Sequence, residues 1–79
     1  MVLTGQEFEL LLQLARNAGK LVTRAQLMQG AWGYEVDTDG SRTVDYHIRG
    51  LRKKLGDDAV HPTYIETVYG SGYRLLLGE

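Results

Sequence analysis

One short segment of the chain carries most of its candidate chemistry, and that chemistry is electrostatic. Residues 41 to 56 read SRTVDYHIRGLRKKLG and hold five of the nine lysines and arginines in a chain whose formal net charge is −1. Between positions 42 and 54 five basic side chains stand against a single acid, Asp45, so this stretch has a net charge of +4 and the remainder totals −5. Cations gathered in this way attract an anionic partner such as the phosphate backbone of nucleic acid.

A helix would sort the side chains of this segment by face. At about 100° per residue, its aliphatic side chains fall within one narrow stripe: Val44, Ile48, Leu51 and Leu55. The opposite face carries three cations and a planar aromatic: Arg42, Tyr46, Arg49 and Lys53. Arg52 and Lys54 lie toward the edges of the stripe, and Asp45 could pair with Arg42 or Arg49. The pattern predicts a helix that packs on a core by one side and presents a basic surface by the other.

The spacing of the other reactive side chains supports neither a metal site nor a catalytic one. Residues 35 to 40 read EVDTDG, like the start of an EF-hand loop, but Tyr46 stands at the twelfth position, where calcium needs a bidentate glutamate. His47 and His61 have no second histidine at ligand spacing. No serine lies in a G-x-S-x-G setting, and the chain has no cysteine. We therefore expect no enzyme activity, no metal and no cofactor.

Two capping boxes precede the remaining helices. TGQE at 4 to 7 and TRAQ at 23 to 26 each place a threonine three residues before a glutamate or glutamine. After the first box, apolar side chains recur at helical spacing: Phe8, Leu11, Leu12 and Ala15. With Ser41 as a third cap, the pattern predicts three helices: residues 5 to 17, 24 to 31 and 42 to 55. The acidic stretch from 33 to 40 has no periodicity and is predicted to be a loop.

The C-terminal part of the chain has the character of strands. Two runs rich in β-branched, aromatic and aliphatic residues, 64 to 69 and 72 to 77, flank Gly70 and Ser71. Such a pair between two runs suits a tight hairpin turn, and we interpret Gly70 and Gly72 as turn glycines. Three helices followed by a β-hairpin is the layout of a winged helix-turn-helix. In this mainly α fold the third helix enters a groove of DNA and the hairpin forms the wing.

Length and composition limit the chain to one domain, residues 1 to 79. A chain of 79 residues buries only about 60% of its unfolded surface, so its core must come from few elements. The 43% hydrophobic and 24% charged content is that of a folded protein. The sequence shows no targeting segment and no apolar run that approaches 18 residues. Together with the absence of cysteine, this composition suits the cytoplasm and predicts no contact with a membrane.

Three separated stretches resemble the effector domain of OmpR/PhoB-type response regulators, in the same order and along nearly the whole chain: LTGQEFELLLQLARNAGKLVTRAQLMQGAWGY, RTVDYHIRGLRKKLG and YIETVYGSGYRL. The resemblance implies a bacterial transcription factor of a two-component system, tethered to a receiver domain that is phosphorylated on aspartate. It also implies tandem binding to direct repeats of double-stranded DNA, with the third helix in the major groove and the wing in the minor groove. By the same likeness, the loop from 33 to 40 would face RNA polymerase.

The basic face and the resemblance together give a candidate DNA-binding set of ten residues: Arg42, Thr43, Tyr46, Arg49, Arg52, Lys53, Lys54, Thr67, Tyr69 and Arg74. Arginine can bind guanine in a bidentate manner, so Arg49, together with Tyr46, is expected to carry base discrimination. Arg52 and Lys54 are expected to contact phosphate. His47 lies beside the apolar stripe, where a packed, hydrogen-bonded histidine is a better interpretation than a phosphate contact.

The chain departs from the family pattern at three places. Family domains begin with a small antiparallel sheet, and this chain starts at the last residues of that sheet, VLT, which predicts a fragment of a longer protein. The missing sheet would leave apolar surface on the first helix uncovered, so we expect a homodimer or reduced stability. Gly50 stands where a second arginine is frequent, which removes a possible DNA contact. Tyr69 stands where the wing often carries an arginine, and it could stack in the hairpin or touch the sugar-phosphate backbone.

A second class of function stays open at this point, a winged-helix protein-interaction domain that does not bind DNA. The net charge of −1, Gly50 and Tyr69 favour it, because DNA-binding domains are often strongly basic. The salt dependence of DNA affinity distinguishes the two classes, since only a phosphate-binding surface loses affinity steeply as salt rises.

Overall fold

The computed structural model describes residues 2–33 and 40–77, with the backbone alone at residues 40 and 41. These residues form six elements: α1 (Gly5–Arg16), β1 (Leu21–Thr23), α2 (Arg24–Trp32), α3 (Gly40–Leu55), β2 (Ile65–Val68) and β3 (Gly72–Leu75). The three helices, the hairpin and the winged helix-turn-helix layout predicted from the sequence are confirmed. The cap predicted at Ser41 is wrong, because α3 begins at Gly40 and Ser41 lies within the helix. The short strand β1 is an addition to that prediction. The predicted loop over positions 34 to 39 lies outside the described residues.

The first two helices begin at the capping boxes predicted for them. The hydroxyl of Thr4 accepts the amide of Glu7 at 3.2 Å, and the Glu7 carboxylate accepts the amide of Thr4 at 2.9 Å. Thr23 and Gln26 make the same reciprocal pair at 3.1 and 2.9 Å. Each cap stabilises its helix by about 1 kcal/mol, because it satisfies amide groups that have no partner within the helix.

Across the described ranges, no helix is both long and apolar enough to cross a membrane.

The three strands form one antiparallel sheet in the order β1-β3-β2, so the predicted hairpin gains a third strand from the segment between α1 and α2. Val22 of β1 and Thr67 of β2 both pair with Tyr73 at the centre of β3. Gly72 makes this pairing possible, since a Cβ atom there would lie 2.1 Å from the backbone oxygen of Val22. Gly72 is therefore a strand glycine that allows close approach of a neighbouring backbone, whereas Gly70, with φ of +78°, is a turn glycine as predicted.

The hydrophobic core lies where the three helices meet the sheet. Its buried side chains come from every element: Leu10, Leu14, Val22, Leu27, Met28, Val44, Ile48, Leu51, Ile65 and Tyr73. The apolar stripe predicted on α3 is confirmed, because three of its four members are fully buried and Leu55 packs against the core. Trp32 packs on the same core at the end of α2. The opposite face of α3 must therefore point away from the protein.

The buried face of α1 differs from the set of apolar positions noted in the sequence. Leu10 and Leu14 are fully buried where α1 packs against α2 and α3. Phe8, by contrast, is 54% exposed. Apolar side chains thus occupy a wide arc of α1. The elements that pack against α1 within the described residues cover only part of that arc.

Candidate nucleic-acid interface

The outward face of α3 presents the cations that the helical projection placed there. Arg42, Arg49 and Lys53 are exposed, and Tyr46 between them is 74% exposed. Among the described residues, none of the three cations forms an ion pair or a hydrogen bond with another side chain. Three cations are thus available to an external anion, and a planar ring lies on the same surface.

His47 fixes the inner edge of this surface. Its Nδ1–H donates to the backbone oxygen of Thr43 at 2.8 Å, because a carbonyl oxygen can only accept. Its ring meets Trp32 edge to face, with centroids 5.0 Å apart, and meets Tyr46 in the same manner at 5.5 Å. The packed, hydrogen-bonded histidine predicted from the sequence is what the structure contains. His47 thereby supports the ring of Tyr46 from behind.

Arg52 points inward, although it belongs to the same basic run. It is 9% exposed, and its guanidinium donates to the backbone oxygen of Ile65 at 2.8 Å and to the hydroxyl of Thr67 at 2.7 Å. Its Nε is buried without a hydrogen-bond partner among the described residues. One terminal nitrogen of Arg52 is thus hydrogen-bonded to β2 within the protein, and this geometry does not support the phosphate contact predicted for Arg52.

Lys54 is also occupied, by a carboxylate of α1. Its ammonium group donates to Glu7 at 2.6 Å, and the Glu7 side chain is only 7% exposed. The hydrogen bond from Lys54, followed by that from the amide of Thr4, lowers the pKa of Glu7 from its usual range. A Cβ atom at Gly50 would lie 2.8 Å from the other oxygen of Glu7. Gly50 therefore faces α1 and gives room to a buried carboxylate. The loss of a DNA contact at Gly50 stays a prediction from the sequence.

The wing carries no unpaired cation within its described residues. Arg74 of β3 donates to Glu66, its direct partner on β2, with the Nε contact at 2.7 Å. The turn between the strands closes with the amide of Ser71 donating to the oxygen of Val68 at 3.0 Å. Tyr69 at the tip is 85% exposed, which excludes stacking within the hairpin. An uncharged aromatic ring is thus the group that the wing extends into solvent.

A carboxylate of α3 joins three elements behind the basic surface. Asp45 accepts the Nε–H of Arg24 at 2.9 Å and the hydroxyl of Tyr73 at 2.5 Å, so the pairing with Arg42 or Arg49 expected from the sequence is wrong. Burial raises the pKa of Tyr73 to about 12, and the hydrogen bond to Asp45 acts in the same direction. No local signal identifies these partners, because they lie 21 and 28 positions from Asp45.

The connection from α3 to the hairpin is organised by Asp57, which the sequence did not single out. Its two oxygens accept the amides of Asp58, Thr63, Tyr64 and Ile65, at distances between 2.6 and 3.2 Å. Burial acts to raise the pKa of Asp57, but these amide hydrogen bonds outweigh it and the pKa is lowered. One side chain thereby sets the point at which β2 begins.

The acidic groups of the described residues do not gather into a metal site. No cluster of three or more histidine, aspartate or glutamate side chains that could hold a metal ion is found within residues 2–33 and 40–77. The EF-hand-like stretch from 35 to 39 lies outside them.

Comparison with known proteins points to one family. The family model described as "Transcriptional regulatory protein, C terminal" matches residues 1–75. The DNA-binding domain of Klebsiella pneumoniae RstA, solved in complex with the RstA box, has 38% sequence identity and a TM-score of 0.87 over 95% of this chain and 73% of its own. The DNA-binding domain of CpxR from E. coli has 36% identity and a TM-score of 0.81, over 98% and 74% of the two chains.

A longer protein shows the same similarity. The response regulator DrrB of Thermotoga maritima, an OmpR/PhoB homologue, has 43% identity and a TM-score of 0.80 over 96% of this chain. The match covers 34% of DrrB, so the chain spans about a third of that protein.

Proposed function

The chain belongs to the family of C-terminal domains of transcriptional regulatory proteins, and from that membership we propose that it binds double-stranded DNA in a sequence-specific manner to regulate transcription. Its similarity to the DNA-binding domains of OmpR/PhoB-type response regulators, at 36 to 43% identity, supports this function over a protein-interaction domain. In the proposed complex α3 lies in the major groove and the β2–β3 hairpin meets the minor groove.

The outward face of α3 is the observation that carries the proposal. Arg49 and Tyr46 lie at its centre and are proposed to contact base edges, since arginine binds guanine in a bidentate manner. Arg42 and Lys53 lie toward the two ends of this face and are proposed to contact phosphates. Thr43 stays a proposed contact on the same helix. A net charge of −1 does not oppose this assignment, because the charge is unevenly distributed: residues 42 to 54 total +4 and the remainder of the chain totals −5.

The salt dependence of affinity tests the proposal directly. A binding site is first selected from random duplexes, and affinity is then measured on that duplex and on a scrambled duplex across a salt series. The two proposed phosphate contacts, Arg42 and Lys53, predict that log Kd changes with log salt by a slope of roughly 2 per domain, at about 0.9 per phosphate contacted. If the chain shows no salt-dependent binding to either duplex, this result would support the protein-interaction alternative.

The remaining partners are proposals that follow from the family. We propose that the chain is the output domain of a response regulator and acts beside a receiver domain that is phosphorylated on aspartate. Tandem copies would occupy direct repeats of DNA, and the loop from 33 to 40 would contact RNA polymerase. A bacterial cytoplasm is the proposed location, because the DNA and the polymerase are found there.

A further inference from the structure

Two side chains of α3 attach this helix to the β2–β3 hairpin at separate points. Near the start of the helix, Asp45 accepts the hydroxyl of Tyr73 on β3 at 2.5 Å. Two turns later, Arg52 donates to Ile65 at 2.8 Å and to Thr67 at 2.7 Å, both on β2. At 1.5 Å of rise per residue, about 10 Å of helix separates the two attachments. The helix is therefore attached to the hairpin at two separate positions along its length.

The ring of Tyr73 connects these two attachments. It is 4% exposed and lies close to two guanidinium groups, with its centroid 5.3 Å from Cζ of Arg24 and 5.4 Å from Cζ of Arg52. Arg24, at the start of α2, also donates to Asp45 at 2.9 Å. The cation–π contacts and hydrogen bonds form one continuous network that joins α2, α3 and the hairpin. We call these four residues the Tyr73 network: Arg24, Asp45, Arg52 and Tyr73.

Two attachments have a mechanical consequence that one attachment would lack. A helix held at one point can tilt about it, whereas a helix held at two points keeps its angle to the hairpin. Reading a DNA site requires the face of α3 around Arg49 and the wing tip at Tyr69 to engage together. A fixed angle lowers the entropy lost on engaging both surfaces. A non-specific complex, held by attraction to phosphates, depends much less on that angle.

We propose that Asp45, Tyr73 and Arg52 are positioning residues, which set the angle between α3 and the wing and thereby the ratio of specific to non-specific DNA affinity. The inference rests on the proposed DNA binding. It assigns to Arg52 a role within the domain in place of the phosphate contact predicted from the sequence. The network acts from behind the DNA-facing surface and needs no contact with DNA.

Tyr73→Phe tests the proposal with the smallest change, because it removes the hydroxyl and keeps the buried ring. We expect the affinity for the selected duplex to fall roughly tenfold, because an angle that is no longer held in the free protein must be fixed on binding. The affinity for the scrambled duplex should fall less than twofold. The salt slope should stay the same, since no phosphate contact is removed. Tyr64→Phe is the matched control, because the ring of Tyr64 is 46% exposed and lies outside the network.

A double-mutant cycle separates positioning from a general loss of stability. If the hydroxyl of Tyr73 acts through Asp45, the two substitutions should not be additive. The double variant Asp45→Asn with Tyr73→Phe should lose no more affinity for the selected duplex than the single variant with the greater loss. The fraction of active protein is measured for every variant by titration with excess duplex. Partial unfolding would lower binding to both duplexes equally, so an equal loss on the two duplexes would overturn the proposal.

The angle itself can be measured without DNA. The natural sequence contains no cysteine, so Lys53→Cys with Ser71→Cys gives two unique sites for spin labels, one on α3 and one at the wing turn. Tyr73→Phe in this background should broaden the distance distribution between the labels. An unchanged distribution would overturn the proposal while leaving DNA binding intact. Absence of salt-dependent DNA binding by the unmodified chain would instead reject the proposed function itself.

Discussion

Arg49 and Arg52 are the same residue type three positions apart on one helix, and their surroundings are opposite. Arg49 is exposed without a partner in the described part of the chain, whereas Arg52 is 9% exposed and donates to the hairpin. Charge alone therefore does not define the binding surface at the residue scale. The direction of each side chain decides which cations a phosphate or a base can reach.

Alanine substitutions of these two arginines should have different effects, one on DNA affinity and the other on stability. Arg49→Ala should cost roughly 1 to 3 kcal/mol of affinity for the selected duplex, with a smaller loss on the scrambled one, and should change the free energy of unfolding by less than about 0.5 kcal/mol. Arg52→Ala should lower the free energy of unfolding by roughly 2 to 3 kcal/mol, because two hydrogen bonds from a buried guanidinium are lost. Urea titration followed by the fluorescence of Trp32 measures the second quantity. Equal effects of both variants on stability would contradict the assignment.

Tyr69 gives the second prediction at this scale. Because Arg74 is paired with Glu66, the wing should contribute contact area without charge. Tyr69→Ala should therefore weaken binding at every salt concentration and leave the salt slope unchanged. Tyr69→Arg should steepen the slope by about 0.9, as one more phosphate is neutralised. Arg42→Ala serves as the control that makes the slope shallower. Unchanged affinity in Tyr69→Ala would show that the wing tip does not reach DNA.

At the scale of elements, the connection between α3 and β2 depends on a single carboxylate. Asp57 accepts four amides, and its pKa is lowered in the folded state. Its contribution to stability is therefore present above the pKa of an unfolded aspartate, about 3.9, and is lost as pH falls through the lower folded value. The entry into β2, and with it the wing, should loosen first in acid.

Substitution of Asp57 tests this dependence. Asp57→Asn should lower the free energy of unfolding by roughly 1 to 2 kcal/mol at pH 7, because charge-assisted hydrogen bonds are lost. The difference from the unmodified chain should begin to shrink as pH falls below about 4, where the unfolded aspartate takes up a proton, and should be smallest below the lowered folded-state pKa of Asp57. Asp58→Asn, at a neighbouring side chain that is 63% exposed, is the control and should have a much smaller effect. A difference that stays constant from pH 7 to pH 2 would exclude this role for the carboxylate.

A prediction for the loop from 33 to 40 follows from its charge. Its three acids, Glu35, Asp37 and Asp39, would repel phosphate if they lay near DNA. Neutralising all three should leave DNA affinity equal or higher, and should impair activation of transcription by RNA polymerase in a reconstituted assay. Weaker DNA binding by the neutralised loop would overturn the proposed role in polymerase contact.

For the whole molecule, the exposed apolar surface on α1 favours the homodimer, one of the two outcomes expected from the sequence beside reduced stability. Phe8 is 54% exposed, and its neighbours Leu11 and Leu12 are partly exposed. Light scattering should show association as concentration rises, and Phe8→Glu should shift the equilibrium toward the monomer. Val60→Glu changes another exposed apolar side chain, 76% exposed, and should not affect association. A monomer at all concentrations, as stable as a longer form of the protein, would contradict this proposal.

The helices, the hairpin and the basic face of α3 could be predicted from the amino-acid sequence. These features depend on interactions between residues close in the chain, such as the reciprocal hydrogen bonds of Thr4 and Glu7 and the periodic stripe from Val44 to Leu51. The cations opposite that stripe, Arg49 among them, follow from the same helical period. Such short-range rules can be applied without knowledge of the fold.

The pairing of the cations could not be predicted from the sequence, because their partners within the described residues lie far away in the chain. Arg52 finds its partners on β2, 13 and 15 positions away, and Lys54 finds Glu7 47 positions away. Asp45, expected to pair within its own helix, pairs with Arg24 and with Tyr73 on two other elements. A long basic side chain at the edge of an apolar stripe can turn either way, and the choice depends on where a distant acceptor lies once the core has packed.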